Sequence, residues 1–219
     1  MEVKLGTSAM LCALVACSAC VAGSRPSQIT WEWYNMAETY KTYPERTDAD
    51  LRISAHYYQL AANKGNAAAA YKLGELYENG AGVGKNYDAA LKWYRAAADA
   101  GNKYGQFRVG WFYQQGLGTQ RDMQEARLWY QRSAGQNNEW AYHMLAFMYA
   151  DGDGVERDEA LARKYFEISL PRTNDNWAKW KLATLIEDSD PLRARQLLAE
   201  SSAGGNVQAG EELRRKGWL

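Results

Sequence analysis

The 219-residue sequence predicts an all-α fold, a right-handed α-solenoid of stacked helical hairpins. Three observations carry that expectation. Ala70 to Asn102 repeats itself 36 positions on, with Gly74 falling on Gly110, Tyr77 on Tyr113, Gly80 on Gly116, Gly82 on Gly118, Trp93 on Trp129 and Asn102 on Asn138. A further slide finds Leu145, Ala146, Tyr149, Gly152, Gly154, Asp158, Ala162 and Tyr165 in the matching places. Apolar residues recur at helical spacing on either side of each glycine pair. A fixed period of this length marks an array of like supersecondary units.

Within one unit, Ala70, Leu73, Gly74 and Tyr77 form one stripe of a first helix, here helix A. Glycine inside a helix costs about 1 kcal/mol relative to alanine, so Gly74 implies close approach of the partner helix. Gly80 and Gly82 end helix A and turn the chain through positions that call for positive φ. Helix B opens at Asn86, with Asp122 and Asp158 as its equivalents; Asp122 and Glu125 have the spacing of a capping box. Its stripe is Ala90, Trp93, Tyr94 and Ala97, and it stops at Gly101. On this reading Trp93 and Trp129 are large core residues. Such a hairpin leaves apolar surface on both flanks and needs neighbours.

Leu73-Gly74, Tyr77, Gly80-Ala81-Gly82-Val83, Ala90, Trp93, Ala97-Ala98 and Gly101 resemble the Sel1-like repeat, a relative of the tetratricopeptide repeat with a longer turn between its helices. The resemblance is fullest from Ala70 to Asn138. It continues from Trp140 to about Leu170, where Ala146 replaces glycine, Tyr165 replaces tryptophan and Pro171 is expected to end the hairpin. A degenerate unit follows from Trp177, without the glycine turn, in which Asp190-Pro191 start helix B directly. The expected organisation is a signal peptide over 1–16, a lipidated tether over 17–29, and N-terminal capping helices forming a truncated repeat over 30–66. The repeat array then covers 67–219, with units at about 67–102, 103–138, 139–175 and 176–206 and a C-terminal capping helix from Val207 to Arg215.

The apolar run from Leu5 to Ala16 is too short to span a bilayer and fits a secretory signal. Leu14-Val15-Ala16-Cys17 resembles the bacterial lipobox, which implies cleavage before Cys17, lipid on Cys17 and attachment to a membrane. Ser18 after the cysteine implies, by the same resemblance, the periplasm-facing leaflet of a Gram-negative outer membrane. Cys20 alone is then left over, so no disulfide is expected in the folded part. Lys plus Arg and Asp plus Glu number 26 each, and no polybasic patch suggests nucleic acid. His56 and His143 stand far apart in sequence without metal-ligand spacing. No nucleophile, base and orienter set is visible, so neither catalysis nor a metal nor a cofactor is expected.

In the related tetratricopeptide hairpin, helix A lines the concave face. The resemblance therefore implies a groove built from Tyr71 and Glu75, then Tyr104, Phe107, Trp111, Gln114 and Gln115, then Trp140, His143, Phe147 and Asp151, then Trp177 and Trp180. Tyr104, Trp140 and Trp177 have a second reading, as wedges between successive A helices. Phe107, Trp111, Phe147 and Trp180 are the rings expected on the open face. The expected function is non-catalytic capture of a protein partner by a chain that is monomeric when free. Family resemblance suggests an immunity protein that neutralises a phospholipase effector delivered by type VI secretion. The alternatives are a scaffold for envelope assembly, such as exopolysaccharide export or a flagellar motor, and glycan binding.

Overall fold

A computed structural model describes residues 26–42 and 47–218, and among these residues every regular element is a helix. The described residues form two compact lobes, one within residues 26–105 with 117–119 and one within residues 106–116 with 120–218. The first lobe holds α1 (Pro26–Thr42), α2 (Asp48–Asn63), α3 (Ala67–Asn79), α4 (Tyr87–Asp99) and the first turn of α5 (Lys103–Gln115). The second holds the rest of α5, then α6 (Met123–Ala134), α7 (Glu139–Asp151), α8 (Glu159–Thr173), α9 (Asn176–Ile186), α10 (Pro191–Ala203) and α11 (Val207–Arg215). Successive helices pair as hairpins: α1 with α2, α3 with α4, α7 with α8, and α9 with α10, with α11 laid on α10. The signal peptide, Cys17 and Cys20 fall outside the described residues.

Polar residues set the helix starts. Thr47 closes a full capping box with Asp50, and Asn86, Asp122, Asp158 and Asp190 each accept from backbone N–H groups in the first turn of a B helix. These bonds satisfy donors that the helix cannot pair internally. The glycine turn is closed in each full repeat by one bond. The N–H of Asn86 donates to the carbonyl of Tyr77 at 2.9 Å, that of Asp122 to Tyr113 at 2.9 Å, and that of Asp158 to Tyr149 at 3.0 Å.

A buried ring locks each hairpin. Tyr94 and Tyr130 are fully buried, and a Cβ at Gly74 would lie 2.7 Å from the Tyr94 ring, one at Gly110 2.8 Å from the Tyr130 ring. Glycine on helix A is thus a socket for an aromatic knob on helix B. The knob keeps a polar end: the Tyr94 hydroxyl donates to Glu78 at 2.6 Å and the Tyr130 hydroxyl to Gln114 at 2.6 Å. In the third repeat the knob is Phe166, the socket Ala146 and the acceptor position Ala150, all buried. The hydroxyl and its acceptor disappear together, so no polar group is stranded.

A second contact spaces the repeats. Gly118 has φ +60, and a Cβ there would lie 2.7 Å from the carbonyl of Tyr87 at the start of α4. Gly82 meets the backbone of Leu51 in the same way, and Gly154 meets Met123. Leu51, Tyr87 and Met123 are themselves 36 apart. The second glycine of each turn therefore seats on the first turn of the preceding B helix.

Three expectations change. The first helix starts at Pro26, inside the stretch expected to be tether, because proline is suited to the first helical position. Pro171 does not end its hairpin: α8 runs through it to Thr173 and is closed by Asn174 with φ +46. This late in the helix, the backbone donor that proline removes does not end the element. Trp129 is buried, but Trp93 is only partly so and packs on the edge of the first core.

Replacing Tyr94 with alanine should cost about 3 to 5 kcal/mol of stability in urea unfolding, and Trp93→Ala distinctly less. Tyr130→Phe should cost about 1 kcal/mol. Adding Gln114→Ala, which reproduces the third repeat, should cost less than the two single changes combined in a double-mutant cycle.

Candidate functional site

The expected groove residues fall into three groups. The first belongs to the fold. Gln114 accepts the Tyr130 hydroxyl at its side chain and Arg121 Nε at its carbonyl, 3.2 Å away. His143 is 5% exposed. Phe107 tilts against Tyr130 with ring centroids 5.6 Å apart, and Phe147 meets Phe166 edge-on at 5.1 Å. Trp180 packs on the core and donates from Nε1 to Glu212 at 2.9 Å. Phe107, Phe147 and Trp180, expected as open rings, are half-buried supports instead. They stand one turn or two beyond the helix start, where Phe107 and Phe147 pack on the knob of helix B and Trp180 packs on the core.

A second group is tied up in ion pairs or partial burial. In the first lobe Glu75 pairs with Lys72 at 2.9 Å and lies 3.9 Å from Lys41. Tyr71 is half-buried, 5.7 Å from Tyr94 and 6.1 Å from Tyr104. In the second lobe Asp151 pairs with Lys181 at 2.6 Å. Trp111, expected as an open ring, is half-buried, and Gln115 stands apart from this group as exposed.

The third group is open. Tyr104 in the first lobe is 49% exposed, and Trp140 and Trp177 in the second are 51% and 49% exposed. All three take the second position of an A helix. Tyr104 still touches Tyr71 on the preceding A helix, but half-exposed rings are not core wedges, and the more exposed set of rings is the reverse of the one the sequence suggested.

In the second lobe each open ring is mounted on one packed further in. Trp140 meets His143 edge-on at 6.2 Å, His143 meets Phe147 at 5.0 Å, and Phe147 meets the Phe166 knob. Trp177 meets Trp180 edge-on at 5.8 Å. Edge-to-face contacts of this kind hold rings in defined orientations. Helices α7 and α9 touch, so this lobe presents two braced tryptophans from adjoining helices. Burial holds the His143 imidazole below its ordinary pKa, with Asp175 opposing, and its Nδ1 has no hydrogen-bond partner. A neutral ring is what this aromatic setting accepts.

Sequence reasoning missed Trp31, 54% exposed on α1. Nothing in the repeat register marks it, since the residue 36 positions on is Ala67. Among the described residues no group of His, Cys, Asp and Glu could hold a metal ion. No described helix is long and apolar enough to cross a membrane.

The Sel1 repeat family model matches residues 34–66, 67–102, 103–138 and 141–169. Among solved structures, c5321, a protective antigen of uropathogenic Escherichia coli with an SLR fold, is 32% identical over 82% of this chain with a TM-score of 0.73. This chain covers 39% of that protein's length. A Sel1 repeat protein from Oxalobacter formigenes is 26% identical, with 86% of this chain and 79% of that one covered and a TM-score of 0.69. No curated protein matches the chain.

Because folding lowers the pKa of His143 from 6.5, the unfolded chain takes up this proton first as the pH falls. The stability tied to His143 is thus complete above pH 6.5 and declines below it. Melting temperatures measured from pH 7 to 5 should fall more steeply for the wild type than for His143→Phe.

Proposed function

Because the chain belongs to the Sel1 repeat family, we propose that it is a non-catalytic binding module that captures a protein partner on the α7 and α9 face of its second lobe. Repeats of this family are typical of protein–protein interaction. The observation that carries the reading is the pair of half-exposed tryptophans, Trp140 and Trp177, each braced by a ring behind it. Tryptophan is a favoured interface anchor. A ring already held in place loses little rotamer freedom on binding.

The role proposed is that of an immunity protein that neutralises a phospholipase effector delivered by type VI secretion. The chain would act as a monomer, facing the periplasm and held on the outer membrane by lipid on Cys17. The lipobox-like Leu14-Val15-Ala16-Cys17 supports the anchoring, and membership of a repeat family typical of protein–protein interaction supports capture of a protein. A stoichiometric inhibitor needs a preformed surface, and a braced ring pair is one.

Affinity capture from envelope extract, followed by titration of the recovered phospholipase, tests the reading. Trp140→Ala and Trp177→Ala should each weaken capture by about 2 kcal/mol or more, close to thirtyfold in Kd, while the melting temperature changes little. Equal capture by wild type and both variants overturns the assigned face, and recovery of a partner without lipase activity overturns the immunity role. Cys17→Ser should move the protein from the membrane to the soluble fraction.

A further inference from the structure

We propose that the edge of the first lobe carrying Trp31 rests on an anionic phospholipid surface. This inference rests on the reading of Cys17 as the lipid attachment site and adds an orientation to it. Trp31 projects from the beginning of α1 and is 54% exposed. It borders an open cavity of about 570 Å³, lined also by Lys64, Gly65, Ala68, Gly101 and Asn102. The same edge continues to Tyr104, 49% exposed, with the Lys103 ammonium 5.4 Å from the centre of its ring. Small residues, two open aromatic rings and two lysines thus share one end of the lobe.

That composition suits a lipid headgroup layer. Tryptophan and tyrosine favour the boundary between water and hydrocarbon, and lysine lays its stem on apolar surface while keeping its charge among anionic headgroups. The mounting is firm: Trp31 meets Tyr34 edge-on at 5.4 Å, and Tyr34 lies 5.8 Å from the buried Tyr58. The tether chooses the occupant. Fully extended, the chain between Cys17 and Pro26 reaches about 30 Å at most, and Trp31 lies only about 8 Å further along α1. A lipid at Cys17 keeps this edge within reach of the bilayer, whereas a second protein would have to be recruited to it.

The test uses the full chain, expressed with its lipid and reconstituted into vesicles of phosphatidylethanolamine and phosphatidylglycerol with brominated acyl chains. Bromine quenches only tryptophans that reach the acyl region. The wild type should lose part of its emission, Trp31→Phe should abolish most of that quenching, and Trp177→Phe should leave it unchanged. A protein that sediments with the vesicles through Cys17 yet is not quenched, or is quenched equally in Trp31→Phe, overturns the seated edge and leaves the anchor standing. A wild type that sediments no better than Cys17→Ser removes the anchor, and the seated edge with it.

Discussion

The seating of an aromatic ring on a residue without a side chain is the interaction on which the rest of this structure depends. Tyr94 over Gly74 and Tyr130 over Gly110 bring two helices closer than any larger residue allows. That closeness lets the hydroxyl reach Glu78 or Gln114, one turn further along the same face of helix A. Dispersion and hydrophobic burial act over the whole ring, and the hydroxyl bond removes the penalty of burying a polar end. Burial raises the pKa of Tyr130 far beyond the ordinary tyrosine range, so the phenol stays protonated and remains a donor.

The candidate site is a by-product of this arrangement. A ring one turn into helix A is drawn onto the knob, as Phe107 is drawn onto Tyr130. A ring one turn earlier has no knob beneath it and stays open, as Trp140 and Trp177 do. Between the open and buried layers of the second lobe sits His143, whose low pKa follows from the company it keeps. Exposure and rigidity are therefore produced by the same stack of rings.

Much of the fold was legible in the sequence because the forces that shape it are local. Caps at Asn86, Asp122, Asp158 and Asp190 need only a short side chain and three following residues. Positive φ at Gly80 and Gly82, +71 and +70, was visible in the glycine spacing alone. The close approach at Gly74 followed from the energetic oddity of glycine on a buried stripe. The site was read less well. A residue's place on a helix says which way it faces, but not whether the next helix reaches it. Phe147 and Trp180 looked open by register and are covered by Phe166, the surrounding core and Glu212. Trp93 and Tyr94, adjacent in sequence, could not be ranked by register, and the glycine socket chose Tyr94. The proline at 171 was overread, since a missing donor near a helix end removes one bond rather than the element.

The spacing contact at the glycine turn has a consequence for how such a chain grows. Knob, socket and hydroxyl acceptor all belong to one 36-residue segment, while the second turn glycine fits any predecessor whose B helix offers its first-turn backbone. Duplicating that segment copies the whole lock along with a universal coupling made of main chain. Lengthening by gene duplication therefore demands no simultaneous compensating mutation, whereas exchange of single helices between segments would separate a tyrosine from its acceptor.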